Sequence, residues 1–317
     1  MEDIWHFNVE ERRNVKIRRK HRVRSALLRK RRMMAYAFLL PNLAGFLVFT
    51  LIPVLTAFGL SFMEWDSANP AKFVGLKNFI ALFRTRSFRV ALGNTIYYTL
   101  GVVPLTIVVS LSLAVVFSRP LKGIAFFRAA HYFPYLASIV AVSAVWQFLY
   151  NADAGPINMV LKAIGISNPP RWTASTTWAM PAVIIMNVWR SCGYYMIMFI
   201  SGIQAIPGHL YEAAMLDGAN GWQKFRYVTL PMLSPTMFFV SIMCIINSFK
   251  VFGAIYVMTQ GGPGGSTTVL VYEIYTQAFT NFKFGFASAE ALVLFLLIFI
   301  VTLVQYRGQK KWVNYMT

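Results

Sequence analysis

The sequence predicts an all-α integral membrane protein with six transmembrane helices, and three observations predict it. Of its 317 residues, 57% are hydrophobic and only 13% are charged, which is more apolar surface than one water-soluble core of this length encloses. Six apolar runs, each long enough to cross a hydrocarbon layer of about 30 Å, follow one another with polar, Pro or Gly punctuation between them. Lysine and arginine gather on alternate connections, as they do where cytoplasmic flanks carry the positive charge.

The chain opens on a basic tail, 1–33, and twelve of the thirty Lys and Arg residues lie there, between Arg12 and Arg32. A net charge of +19 would suit a nucleic acid, but a basic cluster directly ahead of an apolar run is the pattern that anionic membrane lipid holds. Membrane lipid, and no nucleic acid, is the expected partner of the tail. The first apolar run, 34–63, is too long for a signal peptide and has no small-residue cleavage exit, so it is expected to remain as the first span. The second span is expected over 94–117, the third over 124–150 and the fourth over 178–206. The fifth follows over 232–258 and the sixth over 286–305, inside a membrane domain of 34–306 that ends in a short tail, 307–317.

Orientation follows from the cations. An N-terminus on the cytoplasmic side places the basic tail, Arg119, Lys122, Arg128, Lys224, Arg226, Arg307, Lys310 and Lys311 there as well. The cluster from Arg84 to Arg89 falls on the other side and opposes the rule locally, yet the sum puts both termini in the cytoplasm. The outer connections are then 64–93, 151–177 and 259–285, with turn chemistry at Gly155-Pro156, Asn168-Pro169-Pro170 and Gly261 to Gly265.

Between the fourth and fifth spans, 207–231 reads as two short helices hinged at a glycine. Pro207 suits a helix start, Ala213 and Ala214 favour helix, and Gly218 is placed to end the first helix in a left-handed conformation. Asn220 then caps a second helix on which Trp222, Phe225 and Val228 recur at helical spacing. The bland alternative is an amphipathic hairpin lying on the membrane surface. The spacing is more specific than that: Glu212-Ala213-Ala214, three residues, Gly218, nine residues, Val228, one residue, then Leu230-Pro231. It resembles the EAA loop of the inner-membrane permeases of binding-protein-dependent ABC importers, with Val228 where that family has Ile. Segments from Phe73 to Phe79, Pro134 to Trp146 and Thr259 to Gly264, with Thr267, Tyr275, Ala278 and Phe279, are similar to the sugar-importer branch that contains the maltose-type permeases. The resemblance covers nearly all of the chain from Met34 onward.

That resemblance implies a cytoplasmic coupling helix, with Glu212, Ala213, Ala214, Gly218, Leu230 and Pro231 contacting an ABC-type ATPase subunit present in two copies. It also implies a second, homologous permease subunit, an extracytoplasmic solute-binding protein, a sugar substrate and a bacterial or archaeal inner membrane. No cofactor is implied.

Polar residues inside apolar spans are costly, so they face a partner, a cavity or a bundle interior. Asn187 and Arg190 lie three apart in the fourth span and Asn247 and Lys250 three apart in the fifth, so each pair shares a helical face. One reading places these faces on a translocation path, with the rings of Tyr194, Tyr195, Phe249 and Phe252 for stacking or gating. The other has the cations snorkel and the amides bond between helices. Glu290 is expected to pair with Lys250. The two cations leave open an anionic cargo, a sugar acid or a phosphorylated polyol.

Other classes fit less well. No G-x-x-x-x-G-K-[ST] is present for nucleotide hydrolysis, so this chain is not expected to be an enzyme. No metal-ligand spacing occurs, and His6, His21, His131 and His209 are scattered. An ion-coupled secondary transporter remains the rival, but inverted repeats and an acidic relay are not seen. Cys192 and Cys244, both in apolar runs, read as small hydrophobes.

Overall fold

An apolar run free of interruption satisfies every backbone group by its own helix hydrogen bonds, so the strongest runs become the longest helices. The computed structural model describes residue 31, residues 33–119 and residues 122–313. The expected basic tail lies outside these, apart from Arg31 and Met33, as do the last four residues of the second tail. By contact the chain divides into two units, Met1–Gly59 and Leu60–Thr317.

The described part of the first unit is a helix, α1 (Met33–Leu60), long enough and apolar enough to cross a membrane. A π turn at Leu47–Leu51 lies just ahead of Pro53, whose missing N–H would otherwise interrupt the ladder.

The second unit starts with a short antiparallel hairpin, β1 (Met63–Glu64) and β2 (Lys72–Phe73), in register Met63 to Phe73. Helix α2 (Lys77–Arg84) leads into α3 (Arg86–Phe117), which continues as α4 (Ile124–Leu136), α5 (Ile139–Leu149) and α6 (Pro156–Ala163). Then come α7 (Ala179–Gln204), α8 (Gly208–Leu216), α9 (Gly221–Met232) and α10 (Ser234–Phe249). Helices α11 (Gly253–Met258), α12 (Leu270–Tyr275) and α13 (Phe284–Gly308) complete the unit, α12 running on as a π turn to Thr280.

Helices α3 and α7 form the central pair, and Tyr98 and Val102 pack with Val183, Met186, Met196 and Phe199 in the main core. On α7, Gly193 lets α4 approach so closely that a Cβ there would sit 1.9 Å from the His131 carbonyl oxygen. A second core joins α2, α3, α10, α12 and α13 through Leu82, Phe88, Phe249, Leu270 and Leu294.

Helices α3, α7 and α13 answer to the second, fourth and sixth expected spans. Helix α3 starts eight residues before the expected 94, because Phe88 and Ala91 are buried and carry the helix past Arg86 and Arg89. The third and fifth expected runs are corrected. Residues 124–150 are not one helix but α4 and α5, bent by 99° where Ala137 and Ser138 turn extended. Residues 232–258 are not one helix either. Helix α10 meets α9 at 67° across Leu233, and its far end stops at Phe249, three residues before α11. Hydropathy sums miss the first break because Ala137 and Ser138 are small and their neighbours apolar. The expected outer connections also hold structure, in the hairpin, α2, α6 and α12.

Candidate functional site

Backbone that leaves the helix at membrane depth must find partners in protein or in a water-filled cavity. Two breaks in the second unit, at Ala137-Ser138 and at 250–252, border one cavity of about 300 Å³. Tyr135 and Ile139 reach it from the first break and Lys250, Val251 and Phe252 from the second. The breaks touch each other as well: a Cβ on Gly253 would lie 3.1 Å from the Ile139 side chain.

Of the eight residues expected on a path, Asn187, Arg190, Tyr195, Asn247, Lys250 and Phe252 line this cavity. The Arg190 Nη2 group donates to the carbonyls of Tyr135 (3.2 Å) and Ala137 (3.4 Å), the acceptors that the end of α4 leaves free. Its guanidinium also lies 5.2 Å from the Tyr135 ring centroid, and its Nε is enclosed with no hydrogen-bond partner. Asn247 Nδ2 donates to the Tyr195 hydroxyl at 3.2 Å and so ties α10 to α7, while Asn187 Nδ2 returns to Val183 O at 3.1 Å. Phe252 continues into an aromatic cluster with Tyr256 and Tyr275, at ring separations of 5.4 and 5.2 Å.

Two of the eight do not line it. Tyr194 stacks on Tyr135 at 4.3 Å and 12°, and the Tyr135 side chain faces the space in its place. Phe249 is buried in the second core, because one helical position separates it from Lys250 by about 100°. The expected ion pair is also corrected. Glu290 is completely buried on α13 with both carboxylate oxygens unpartnered, and Lys250 makes no ion pair among the described residues. Sequence reasoning missed five further hydroxyls on the cavity, those of Tyr98, Thr106, Tyr135, Ser191 and Ser248. No local signal marks the break that carries Tyr135, because the Arg190 that takes the freed carbonyls lies more than fifty positions away.

Helices α8 and α9 form the hinged pair. Gly218 has φ +76°, the left-handed conformation that ends α8. Asn220 accepts from Gln223 N, and Gln223 Oε1 accepts from Asn220 N, a complete capping box. The Tyr211 hydroxyl and Thr229 Oγ1, 3.0 Å apart, fasten α8 to α9. Glu212, Ala213 and Gly218 are exposed and Ala214 half-buried, while Leu230 and Pro231 are half-buried at the junction with α10. Around them stand exposed Met215, Leu216, Trp222 and Tyr227, with Leu216 at 89% exposure. The free thiols Cys192 and Cys244 are buried.

The family model for the "Binding-protein-dependent transport system inner membrane component" matches residues 79–313. Among curated relatives, the probable ABC transporter permease protein YurN of Bacillus subtilis is 36% identical over 283 residues, which is 88% of this chain and 97% of that protein. The trehalose/maltose transport system permease protein MalF of Thermococcus litoralis is 33% identical over 275 residues, 86% of this chain and 92% of that protein. Among solved structures, a chain of a bacterial ABC transporter that imports the acidic polysaccharide alginate superposes with a TM-score of 0.77 at 24% identity. It covers 90% of this chain and 98% of that chain, a likeness of fold.

Proposed function

The chain belongs to the family of inner membrane components of binding-protein-dependent transport systems, as an ABC-importer permease, and from that premise we propose that it conducts a sugar or oligosaccharide by alternating access. What carries the reading is the polar cavity at the two helix breaks, inside helices that the family match spans. A cargo with many hydroxyls needs hydrogen-bonding groups on its path, and the cavity offers two amides, two cations and several hydroxyls among rings on which sugar faces stack.

The hinged pair α8–α9 is the coupling element in this reading. An extracytoplasmic binding protein delivers the sugar to the outer connections, and closure of two ATPase subunits presses on the exposed face around Glu212, Ala213 and Ala214. Because Leu230 and Pro231 join α9 to α10, that push reaches the helix bearing Asn247 and the break at Lys250. Hydrolysis belongs to the ATPase copies, and a second, homologous permease subunit completes the pathway. Six crossings follow when each bent pair counts as one span, with both termini in the cytoplasm of a bacterial or archaeal cell.

The test is to purify the chain with its partners, reconstitute it and follow ATP hydrolysis and sugar uptake together. Glu212→Ala and Gly218→Pro should leave the protein inserted and cut uptake per ATP hydrolysed about tenfold or more. Normal coupled uptake in Gly218→Pro would remove α8–α9 from the mechanism, and uptake without ATP would sink the importer reading.

A further inference from the structure

We propose that the cavity at the two helix breaks takes an anionic cargo, a carbohydrate or polyol carrying a carboxylate or phosphate, with Lys250 and Arg190 as its charge partners. The inference rests on the permease reading and names the substrate class of that same site.

Charge inventory is the first argument. The lining holds two cations and no carboxylate. The two acids on neighbouring helices are occupied or sealed elsewhere: Glu273 accepts from Gln277 Nε2 at 2.8 Å, and Glu290 is enclosed without a partner on α13. Lys250 is exposed at the cavity and makes no ion pair among the described residues, so its charge is free to meet a cargo.

The helix ends supply only part of the answer. Arg190 meets the last carbonyls of α4, and Lys250 sits at the C-terminal end of α10. Each C-terminus carries about half a negative charge, so two full cations against two such ends leave about one positive charge facing the cavity. Arg190 also keeps an enclosed Nε with no acceptor.

Acceptor chemistry points the same way. A neutral sugar presents hydroxyls that are bound best by carboxylates on one side and donors on the other, whereas this lining offers charged donors and only neutral acceptors, the amide and hydroxyl oxygens. A carboxylate or phosphate group on the cargo supplies the missing charge.

Proteoliposomes holding the complete importer decide it. Their ATP-dependent uptake of digalacturonate, of glycerol 3-phosphate, and of the neutral probes digalacturonate dimethyl ester and maltose would be measured for the native chain, Lys250→Gln and Lys250→Arg. Lys250 is chosen because Arg190 also holds the end of α4, so its loss could act through folding. The expected result is uptake of an anionic probe above its neutral counterpart, with the anionic-to-neutral ratio falling about tenfold or more in Lys250→Gln and kept in Lys250→Arg. Uptake of digalacturonate would identify a carboxylate cargo, and uptake of glycerol 3-phosphate a phosphate one. Two results overturn the proposal and leave the permease reading standing: no ATP-driven uptake of either anionic probe beside uptake of maltose or the ester, or a ratio that Lys250→Gln does not move. Uptake that proceeds without ATP overturns the permease reading and this inference with it.

Discussion

Glu290 has no polar atom to answer it, although no part of its side chain reaches solvent. A carboxyl buried without a partner is costly whether it stays charged or takes up a proton, and an amide of the same shape has no charged form to suppress. Glu290→Gln is therefore expected to raise the unfolding midpoint of the detergent-solubilised protein or leave it unchanged; a fall of several degrees would mean that the carboxylate has a partner. Gly193 sits at the opposite extreme, where a single methyl group is too much. A Cβ placed 1.9 Å from the His131 carbonyl forces α4 off α7, and overpacking of this kind costs about 1–3 kcal/mol. Gly193→Ala should lower the midpoint, with Gly208→Ala, whose Cβ meets nothing within 4 Å, as the control. At the β1–β2 hairpin, hydrogen bonds from the Asn69 backbone and side chain hold the Asp66 carboxyl below its ordinary value. A depressed carboxylate stabilises above its unfolded value, and that contribution disappears as pH falls through the folded one. Protection of the hairpin against proteolysis should thus be level from neutral pH down to the ordinary carboxylate range and weaken only below it, and Asp66→Ala should remove the dependence.

At the scale of elements, the pair α8–α9 shows how much a short segment specifies by itself. Gly218 supplies the positive φ and the Asn220–Gln223 box starts the second helix; Gly218 and Asn220 announce their roles in the sequence, and the structure adds Gln223. The hinge was legible because caps and left-handed glycines act over three or four residues. The break at Ala137-Ser138 was not, because the group that completes it is distant in sequence. Arg190, more than fifty positions away, takes the carbonyls that α4 gives up. The same distance explains the divided outcome for the candidate site. Asn187 with Arg190 and Asn247 with Lys250 stood out as polar residues in apolar runs, and they meet at one cavity. Tyr135 and Tyr194 carry the same side chain, and only packing decides that one faces the space and the other stacks behind it. If the capping box sets the rigidity of the hinge, Asn220→Ala should cost about 1 kcal/mol locally. The measurable consequence is faster amide exchange confined to α9, which a global loss of stability would not produce.

For the whole molecule, the fold class lay in composition and run length, since bilayer thickness and the need to close every backbone hydrogen bond leave a chain this apolar few alternatives. Sidedness is a separate matter that rests on the summed Lys and Arg of the connections, and the cluster from Arg84 to Arg89 pulls against that sum. The chain itself provides a clean test, because Cys192 and Cys244 are its two cysteines and both are buried, so an introduced thiol would be labelled over a low background. Leu216→Cys on α8, at 89% exposure, and Asn69→Cys beyond β1 lie on opposite sides if the proposed topology holds. In intact cells stripped of any outer barrier, a membrane-impermeant maleimide should label Asn69→Cys and leave Leu216→Cys untouched until the membrane is opened. The coupling reading depends on this outcome more than on any single substitution, since ATP is available to a partner on one side only. Labelling of Leu216→Cys from outside would place α8–α9 where no ATPase can reach it, and the exposed apolar face around Met215, Leu216, Trp222 and Tyr227 would then have to belong to an extracytoplasmic contact.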